Sequence, residues 1–409
     1  MICPRCHRNR ACERPSCPLK ARESFAKNTN FSYKKDFTGS TPNVFVGRFG
    51  YPNVNVGLLS TDFSQDDVDD PLRWSREKYE MNRIVNLRST LVNSRFASSI
   101  HSPTSRTKNK LQELSKEISL SAKKVDTEVH LKKKPMPGTA FNKEATPHGP
   151  SVPVESAEAA ENIRVPTKVD KAVSDEGYKA GSALKDLYKH NFDEHYLTKV
   201  LSVGNLGVQS QRKMVPTRWS ITAVDDTLGK GMLEKIKDFS ATLEPTAFYG
   251  GYLGNYFLAL FFPGRWSFEF IENYTFDMEK DNPSEGVGTD SDFEGYQGRK
   301  SYAMNTAGGY YAARLPILEY MKDKRRQGSI MLLRFITKDY YASLGVWVVR
   351  ESVRKTLQEK PIEFASEDLM LLYAKKLIMK RFKYDLEPVL KRSTILDTRK
   401  RQSSLDRFR

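Results

Sequence analysis

Residues 245–274, PTAFYGGYLGNYFLALFFPGRWSFEFIENY, decide the fold class because they contain three β-prone runs in close succession. Aromatic residues recur in the runs at 245–250, 255–262 and 266–274, and glycine marks each short turn between them. The next predicted elements are strands at 330–337 and 343–349 and helices at 312–324, 350–358 and 366–379. We therefore expect an α+β fold with a largely antiparallel sheet in this part of the chain.

All four cysteines of the chain lie close to the N-terminus, at Cys3, Cys6, Cys12 and Cys17. Four thiolates at this spacing complete the tetrahedral coordination of Zn²⁺ and leave no position open, so we predict a structural zinc ion. The chain has no apolar stretch of membrane-spanning length and no signal peptide, so we expect a cytoplasmic protein without membrane contact, whose thiols stay reduced. An iron–sulfur cluster uses the same four ligands and remains the alternative.

A chain of 409 residues exceeds what one hydrophobic core usually holds, so we expect two lobes with small appendages. Several prolines and little periodicity mark the interval between the lobes, and a basic segment without an apolar face ends the chain. The predicted order is a zinc-binding knuckle at 1–24, an N-terminal α+β lobe at 25–133, a connection at 134–166, a C-terminal α+β lobe at 167–387 and a flexible basic tail at 388–409.

The charge balance favours a polyanionic partner. Lys and Arg number 66 against 50 Asp and Glu, which gives a formal net charge of +16. Nucleic acid is the first partner class that such an excess indicates, although solvated surface lysines produce the same count. Three of the four tryptophans occur as Arg-Trp-Ser, at Trp74, Trp219 and Trp266. An Arg beside a Trp suits single-stranded nucleic acid, but a core Trp with an Arg at its rim is the commoner arrangement.

Two polar motifs are candidates for a ligand site. Residues 43–57 predict a strand, a tight glycine turn and a second strand. The glycines of the loop at 47–53 let a ligand approach the backbone, where Arg48 and Asn53 could hold a phosphate or base; a tight structural turn is the alternative. Asp225 and Asp226 stand in what we interpret as a strand-to-helix turn after Arg218. Adjacent carboxylates there are either a Mg²⁺ ligand pair or the acidic cap of a helix N-terminus.

The C-terminal residues Gln402, Leu405 and Phe408 are spaced three apart, so one helical turn presents Leu405 and Phe408 together. Leu405 and Phe408 suit an apolar pocket, while Gln402 bonds the backbone around it. This pattern resembles the box, Q-x-x-h-x-x-a-a, through which DNA repair and replication proteins bind the sliding clamp (PCNA). Arg409 replaces the second aromatic residue of the box, and we expect it to weaken the anchor.

Four stretches together resemble the archaeal Nre family of DNA-repair proteins over nearly the whole chain. They are FVGRFGYPNVNVG at 45–57, VPTRWSITAVDDTLGK at 215–230, GYYAAR at 309–314 and the box at 402–408. The resemblance implies an N-terminal zinc-binding segment, a two-part core and a clamp-docked role in the DNA-damage response. It implies no particular reaction.

Two functions fit these features. The first is a repair factor that the clamp recruits and that binds DNA or other repair proteins. The second is a metal-dependent enzyme that binds or hydrolyses a nucleotide or phosphodiester, with the candidate residues Asp225, Asp226, Arg48, Asn53, Arg218 and Arg314 around the substrate. The chain contains no phosphate-binding P-loop and no recognisable nucleophile–base set, so we favour the recruited factor.

Overall fold

The computed structural model describes residues 33–63, 65–105, 109–141, 145–242, 244–275 and 289–406, with side chains to residue 401. Two compact units divide these residues. The barrel unit comprises described residues of 33–228 with 342–345, and the sheet unit comprises those of 229–341 with 346–406. In these ranges, no helix has the length and apolar character needed to cross a membrane.

A closed five-stranded barrel forms the centre of the barrel unit. Its strands are β1 (Asp36–Val46), β2 (Asn53–Thr61), β3 (Val92–Ser99), β4 (Val125–Leu131) and β5 (Ser151–Ala159). Their order around the barrel is β1-β2-β3-β5-β4, and β4 pairs back to β1. Strands β3 and β5 are parallel, and the other neighbours are antiparallel. The connections contain helices α1 (Pro71–Arg76), α2 (Met81–Ser89) and α3 (Lys110–Leu120).

This arrangement is the topology of the OB-fold, a five-stranded Greek-key barrel with a helix between β3 and β4. Alternating residues of β1 and β2 face its core: Val44, Val46, Val54, Val56 and Leu58 are all buried there with Ile118 of α3. The side chains between them point outward. The predicted strand–turn–strand unit at 43–57 is therefore confirmed.

The connection predicted at 134–166 is wrong, because β5 lies within it and closes the barrel. Pro153 interrupts the apolar pattern of this strand, although Val152 and Val154 on either side of it are buried. The lobe boundary at 167 is also wrong. Helices α4 (Thr167–Ser174), α5 (Ala180–Lys189) and α6 (Glu194–Ser202) belong to the barrel unit. The Tyr196 hydroxyl of α6 donates to the Leu120 carbonyl of α3 over 2.6 Å, a long-range contact that the sequence pattern does not reveal.

Helix α7 (Thr217–Ile236) continues from the barrel unit into the sheet unit. The strands that follow are β6 (Ser240–Ala241), β7 (Thr246–Tyr252), β8 (Asn255–Phe262), β9 (Ser267–Tyr274), β10 (Thr289–Glu294), β11 (Arg326–Gln327), β12 (Ser329–Ile336) and β13 (Ile362–Glu363). The main sheet has the order β10-β9-β12-β8-β7-β13, and only β9 and β12 are parallel within it. The prediction of an α+β fold with a largely antiparallel sheet is confirmed.

Both faces of this sheet are covered, which explains why every residue of β12 is buried. The helices of the unit are α8 (Gly308–Lys324), α9 (Trp347–Gln358), α10 (Glu367–Phe382), α11 (Glu387–Lys391) and α12 (Thr394–Asp406). On one face, Phe261 and Phe268 contact Tyr320 and Tyr310 of α8. On the other face, the apolar residues of the sheet pack against α10, α11 and Ile395 of α12.

Two predictions at this end of the chain are wrong. The strand predicted at 343–349 is absent from the described structure, and Trp347 instead begins α9, whose packing on β7 and β8 outweighs the β propensity of its valines. The tail predicted as flexible from residue 388 is helical in α11 and α12. It is held because Ile395 is buried and because Arg399 pairs with Glu367.

Candidate functional site

One end of the barrel brings together three of the predicted ligand-binding residues. The loop at 47–53 joins β1 to β2 and carries Arg48, and Asn53 begins β2. The Val46 amide donates to the Thr217 hydroxyl over 2.9 Å, so the loop meets the start of α7, where Arg218 lies. The ring centroids of Tyr51 and Trp219 are 5.5 Å apart. The loop at 47–53 and the start of α7 therefore form one surface, which we call the aromatic end.

Three aromatic rings of the aromatic end face solvent. Phe49 is 78 % exposed, Tyr51 48 % and Trp219 44 %. The Arg48 guanidinium lies 4.9 Å from the centroid of the Phe49 ring. Of the three tryptophans in Arg-Trp-Ser, Trp74 and Trp266 are buried, so the core interpretation holds for those two and not for Trp219.

The loop is also a tight turn, as the alternative interpretation of it predicted. The Asn53 amide donates to the Gly50 carbonyl over 2.8 Å, and Gly50 has a φ of 83°, a conformation that favours glycine. The Asn53 side chain is exposed on the outer surface of β2, with Asn55 two residues further along the same face. Sequence reasoning selected the polar residues of this turn and missed Phe49 and Tyr51, although exposed aromatic residues beside turn glycines were the available signal.

A cavity of about 730 Å³ in the barrel unit is lined in part by Phe45 and Thr217, and none of the predicted core residues lines it. Its wall is rich in carboxylates, from Asp66, Asp69, Asp70, Asp126, Glu161 and Asp193. Arg88 and Asp69 form a buried ion pair of 2.6 Å in this wall. Lys199 donates to the Ser121 carbonyl over 2.9 Å, and burial lowers its pKa to about 8 against the opposing effect of Asp69 and Asp193. These buried cations balance the local acidic charge.

Asp225 and Asp226 lie in the middle of α7 and not at a strand-to-helix turn, so the helix-cap interpretation is wrong, while the Mg²⁺ ligand pair stays a prediction. Asp225 is buried and Asp226 partly buried. Successive residues of a helix point about 100° apart, so the two side chains leave α7 in different directions. Among the described residues, no group of three or more His, Cys, Asp or Glu side chains is placed to hold a metal ion.

Arg314 is a core residue of the sheet unit. Its Nη1 atom lies 2.7 Å from Oε2 of Glu294, and both side chains are fully buried. The Trp266 indole donates to Oε1 of the same carboxylate over 3.1 Å. Arg314 thus neutralises a buried carboxylate, and a ligand in solvent does not reach its side chain.

The structure does not test the C-terminal box or the N-terminal cysteine cluster, so both stay predictions. The backbone of Gln402 and Leu405 is helical in α12, while their side chains and the whole of Phe408 lie outside the described residues. Cys3, Cys6, Cys12 and Cys17 also lie outside them.

Comparison with known proteins places these motifs in a family. The N-terminal model of archaeal Nre matches residues 11–277, and the C-terminal model of archaeal Nre matches residues 294–408. The chain belongs to the archaeal Nre family. The first of these Nre regions contains the whole barrel unit up to α7 and also β7, β8 and β9, so its end does not coincide with the boundary between the two units.

Three Nre relatives are similar over most of their length. DNA repair protein NreA of Archaeoglobus fulgidus is 36% identical over 377 residues, which cover 91% of this chain and 93% of the relative. DNA repair protein NreA of Haloferax volcanii is 34% identical over 79% of this chain and 78% of its own. DNA repair protein NreB of A. fulgidus is 33% identical over 100% of both chains. No solved structure matches this Nre chain.

Proposed function

We propose that this protein acts in DNA repair and that a sliding clamp, PCNA, recruits it to DNA through the C-terminal box. Its relatives NreA and NreB carry the name of DNA repair proteins and align with most or all of the chain, which supports the repair role. The net charge of +16 supports DNA as a partner. DNA-bound repair proteins are the further partners that this role implies.

The observation that carries the clamp proposal is that the first residues of the box are helical. Helix α12 continues to Asp406, so Gln402 and Leu405 lie within one turn of a formed helix. A segment that is already helical loses less conformational entropy when it enters a groove than a disordered segment does. Leu405 and Phe408 would then fill the apolar pocket of the clamp, and Gln402 would bond its rim.

Calorimetric titration of the full-length protein into the clamp tests this proposal. We expect Phe408→Ala, or deletion of residues 402–409, to abolish binding while the circular dichroism spectrum stays unchanged. Ser403→Ala is the matched control, because position 403 is not an anchor of the box. Clamp affinity that is unchanged in Phe408→Ala would contradict the proposal.

The cysteine cluster belongs to the same proposal as a structural zinc site. Its support is the spacing of Cys3, Cys6, Cys12 and Cys17 together with a cytoplasmic location, where thiols stay reduced. Metal analysis of purified protein should give one zinc per chain, and Cys6→Ser should lose it. Bound iron with a visible charge-transfer band would assign an iron–sulfur cluster to these residues instead.

A further inference from the structure

The topology of the barrel indicates where a nucleic acid would bind. OB-fold barrels bind oligonucleotides on the face of strands 2 and 3 and at the loop between strands 1 and 2. In this chain, that loop is the turn at 47–53, and the start of α7 lies beside it. The aromatic end thus occupies the position at which the OB topology places its ligand.

Exposed aromatic side chains are concentrated at this position. In the described part of the chain, the aromatic residues among the large exposed hydrophobic side chains are Phe49, Tyr51, Trp219 and Tyr302. Three of these four belong to the aromatic end. Exposed rings that cluster in this way mark binding surfaces, and every nucleobase presents an apolar face that stacks on such a ring.

The charge of the surrounding chain fits a phosphate backbone. Three segments build the aromatic end and the strand face beside it, namely the β1–β2 hairpin, β3 and the chain that leads into α7. Residues 37–61, 81–112 and 195–224, which contain them, include no Asp or Glu at all. The carboxylates that line the cavity all come from other parts of the sequence, and Asp69 among them pairs with Arg88.

Cations reach this surface from each of the three segments. Arg48 is exposed in the loop, Arg95 is exposed on the outer face of β3, and Lys213 is exposed just before α7. The Met214 amide donates to the Ile100 carbonyl over 2.7 Å, which holds the Lys213 segment against the end of β3. Phosphates on a path across the aromatic end therefore meet positive charge at every side.

The outer surface of β2 and β3 offers a shallow floor between these cations. Asn55 lies opposite Ala97 and Gly57 opposite Arg95 in the strand register, so opposed residues share the outer face. The amides of Asn53 and Asn55 can bond base edges. Rings on an exposed loop reach the face of a base only when that base is not stacked in a duplex, which favours a single strand.

We propose that the aromatic end binds single-stranded DNA, with bases stacked on Phe49, Tyr51 and Trp219 and with phosphates on Arg48 and Arg95. This inference rests on the DNA-repair role proposed above and specifies the form of DNA that the protein contacts. The proposed DNA contact lies far in sequence from the clamp-binding box. A substitution can therefore remove the DNA contact and keep the clamp contact, or the reverse.

Fluorescence anisotropy of the full-length protein with a labelled oligo-dT measures the affinity. Phe49→Ala and Trp219→Ala should each weaken binding roughly 5- to 150-fold, the range expected for the loss of one stacked base. Tyr302→Ala is the matched control, because Tyr302 is 45% exposed and lies in the sheet unit. A duplex of the same length should compete poorly.

Tryptophan fluorescence reports the stacking directly. Trp74, Trp266 and Trp347 are buried, so Trp219 is the tryptophan that an added oligonucleotide can quench. Trp219→Phe should keep most of the affinity and lose the quenching. Arg48→Ala should weaken binding and lower the slope of log affinity against log salt concentration by about 0.7, the value for one phosphate contact on a single strand.

Several results would overturn the inference. They are no binding of oligo-dT by the intact protein, equal competition by duplex DNA, binding of oligo-U alone, and equal losses in Trp219→Ala and Tyr302→Ala. Clamp titrations with the same variants separate the two proposals. Trp219→Ala should bind the clamp normally, and the protein without residues 402–409 should bind oligo-dT normally.

Discussion

Glu269 of β9 accepts a hydrogen bond of 2.6 Å from the hydroxyl of Ser393, the residue that precedes helix α12. The same carboxylate accepts from the amides of Thr394 and Ile395 over 2.8 and 3.1 Å. Glu269 is buried in the sheet, so its charge meets the free N–H groups of the first helical turn. A strand residue in the sheet thus anchors the helix that leads into the proposed clamp-binding box.

Removal of this carboxylate should loosen α12. Glu269→Ala leaves three donors without their acceptor, two of them on the buried residues Ser393 and Ile395, at a cost of about 3 kcal/mol, and should accelerate amide hydrogen exchange over residues 394–401. Glu269→Gln keeps an acceptor and should have a smaller effect. Glu387→Ala is the control, because its ion pair with Lys375 is half-exposed and contributes little. Exchange rates equal to those of the wild type in Glu269→Ala would contradict the anchor.

The ion pair of Arg314 and Glu294 should be essential to the sheet unit. Arg314→Met leaves a buried carboxylate without its cation, and we expect a loss of about 3 to 5 kcal/mol in the free energy of unfolding, measured in urea. Adding Glu294→Gln should recover part of that loss, because the uncompensated charge disappears and Trp266 keeps an acceptor. Arg354→Met, which breaks a more exposed pair with Glu319, should cost less. Equal losses in the two single variants would refute this account.

His148 should make the barrel unit sensitive to acid. It contacts the ring of Phe45, and burial lowers its pKa from the ordinary value of 6.5 to about 4. As the pH falls through 6.5, the unfolded chain binds a proton that the folded chain does not bind until about pH 4. Stability is therefore lost across this window, by about 3 kcal/mol in total.

Unfolding measured between pH 7 and pH 4 checks this expectation. His148→Gln should flatten the pH dependence of stability in this window. His101→Gln, at an exposed position, should leave it as in the wild type. A slope that His148→Gln does not change would show that other groups cause the acid sensitivity.

Completing the clamp-binding box should strengthen it. Arg409→Phe supplies the second aromatic residue, and burial of that ring should raise clamp affinity roughly tenfold or more in calorimetry. Arg407→Phe adds the same ring outside the anchor positions and removes the same charge, so it controls for both. An equal gain in the two variants would indicate non-specific apolar binding.

The sequence predicted elements whose signals are local. The hairpin at 43–57 and the runs at 255–262 and 266–274 are strands as expected, because alternation or a continuous apolar run with a glycine turn is visible in a few residues. Strand β5 was missed because Pro153 interrupts it and because its partners β3 and β4 are distant in sequence. The hydrogen bonds between Glu269 and the start of α12 join residues more than a hundred positions apart, so no local sequence signal predicts them.

The candidate site was predicted in part for the same reason. Arg48, Asn53 and Arg218 lie at one end of the barrel, as their glycine- and Trp-containing motifs suggested. Arg314 also lies in one of the motifs quoted above, yet its side chain is fully buried and pairs with Glu294. Residue type does not distinguish these outcomes, since exposure depends on which elements pack around each side chain. The exposure of Phe49 and the burial of Trp74 became apparent only in the folded chain.

The attachment of α12 to the sheet sets how a clamp-bound molecule moves. A box at the end of a disordered linker samples a sphere whose radius grows with the square root of the linker length. Here the residues from Thr394 to Arg401, which lead into the box, are helix rather than linker, and Arg399 bonds Glu367 partway along them. The sheet unit would therefore keep a nearly constant distance and orientation relative to the ring of the clamp. Its local concentration at the DNA inside the ring would depend more on that orientation than on the length of a linker.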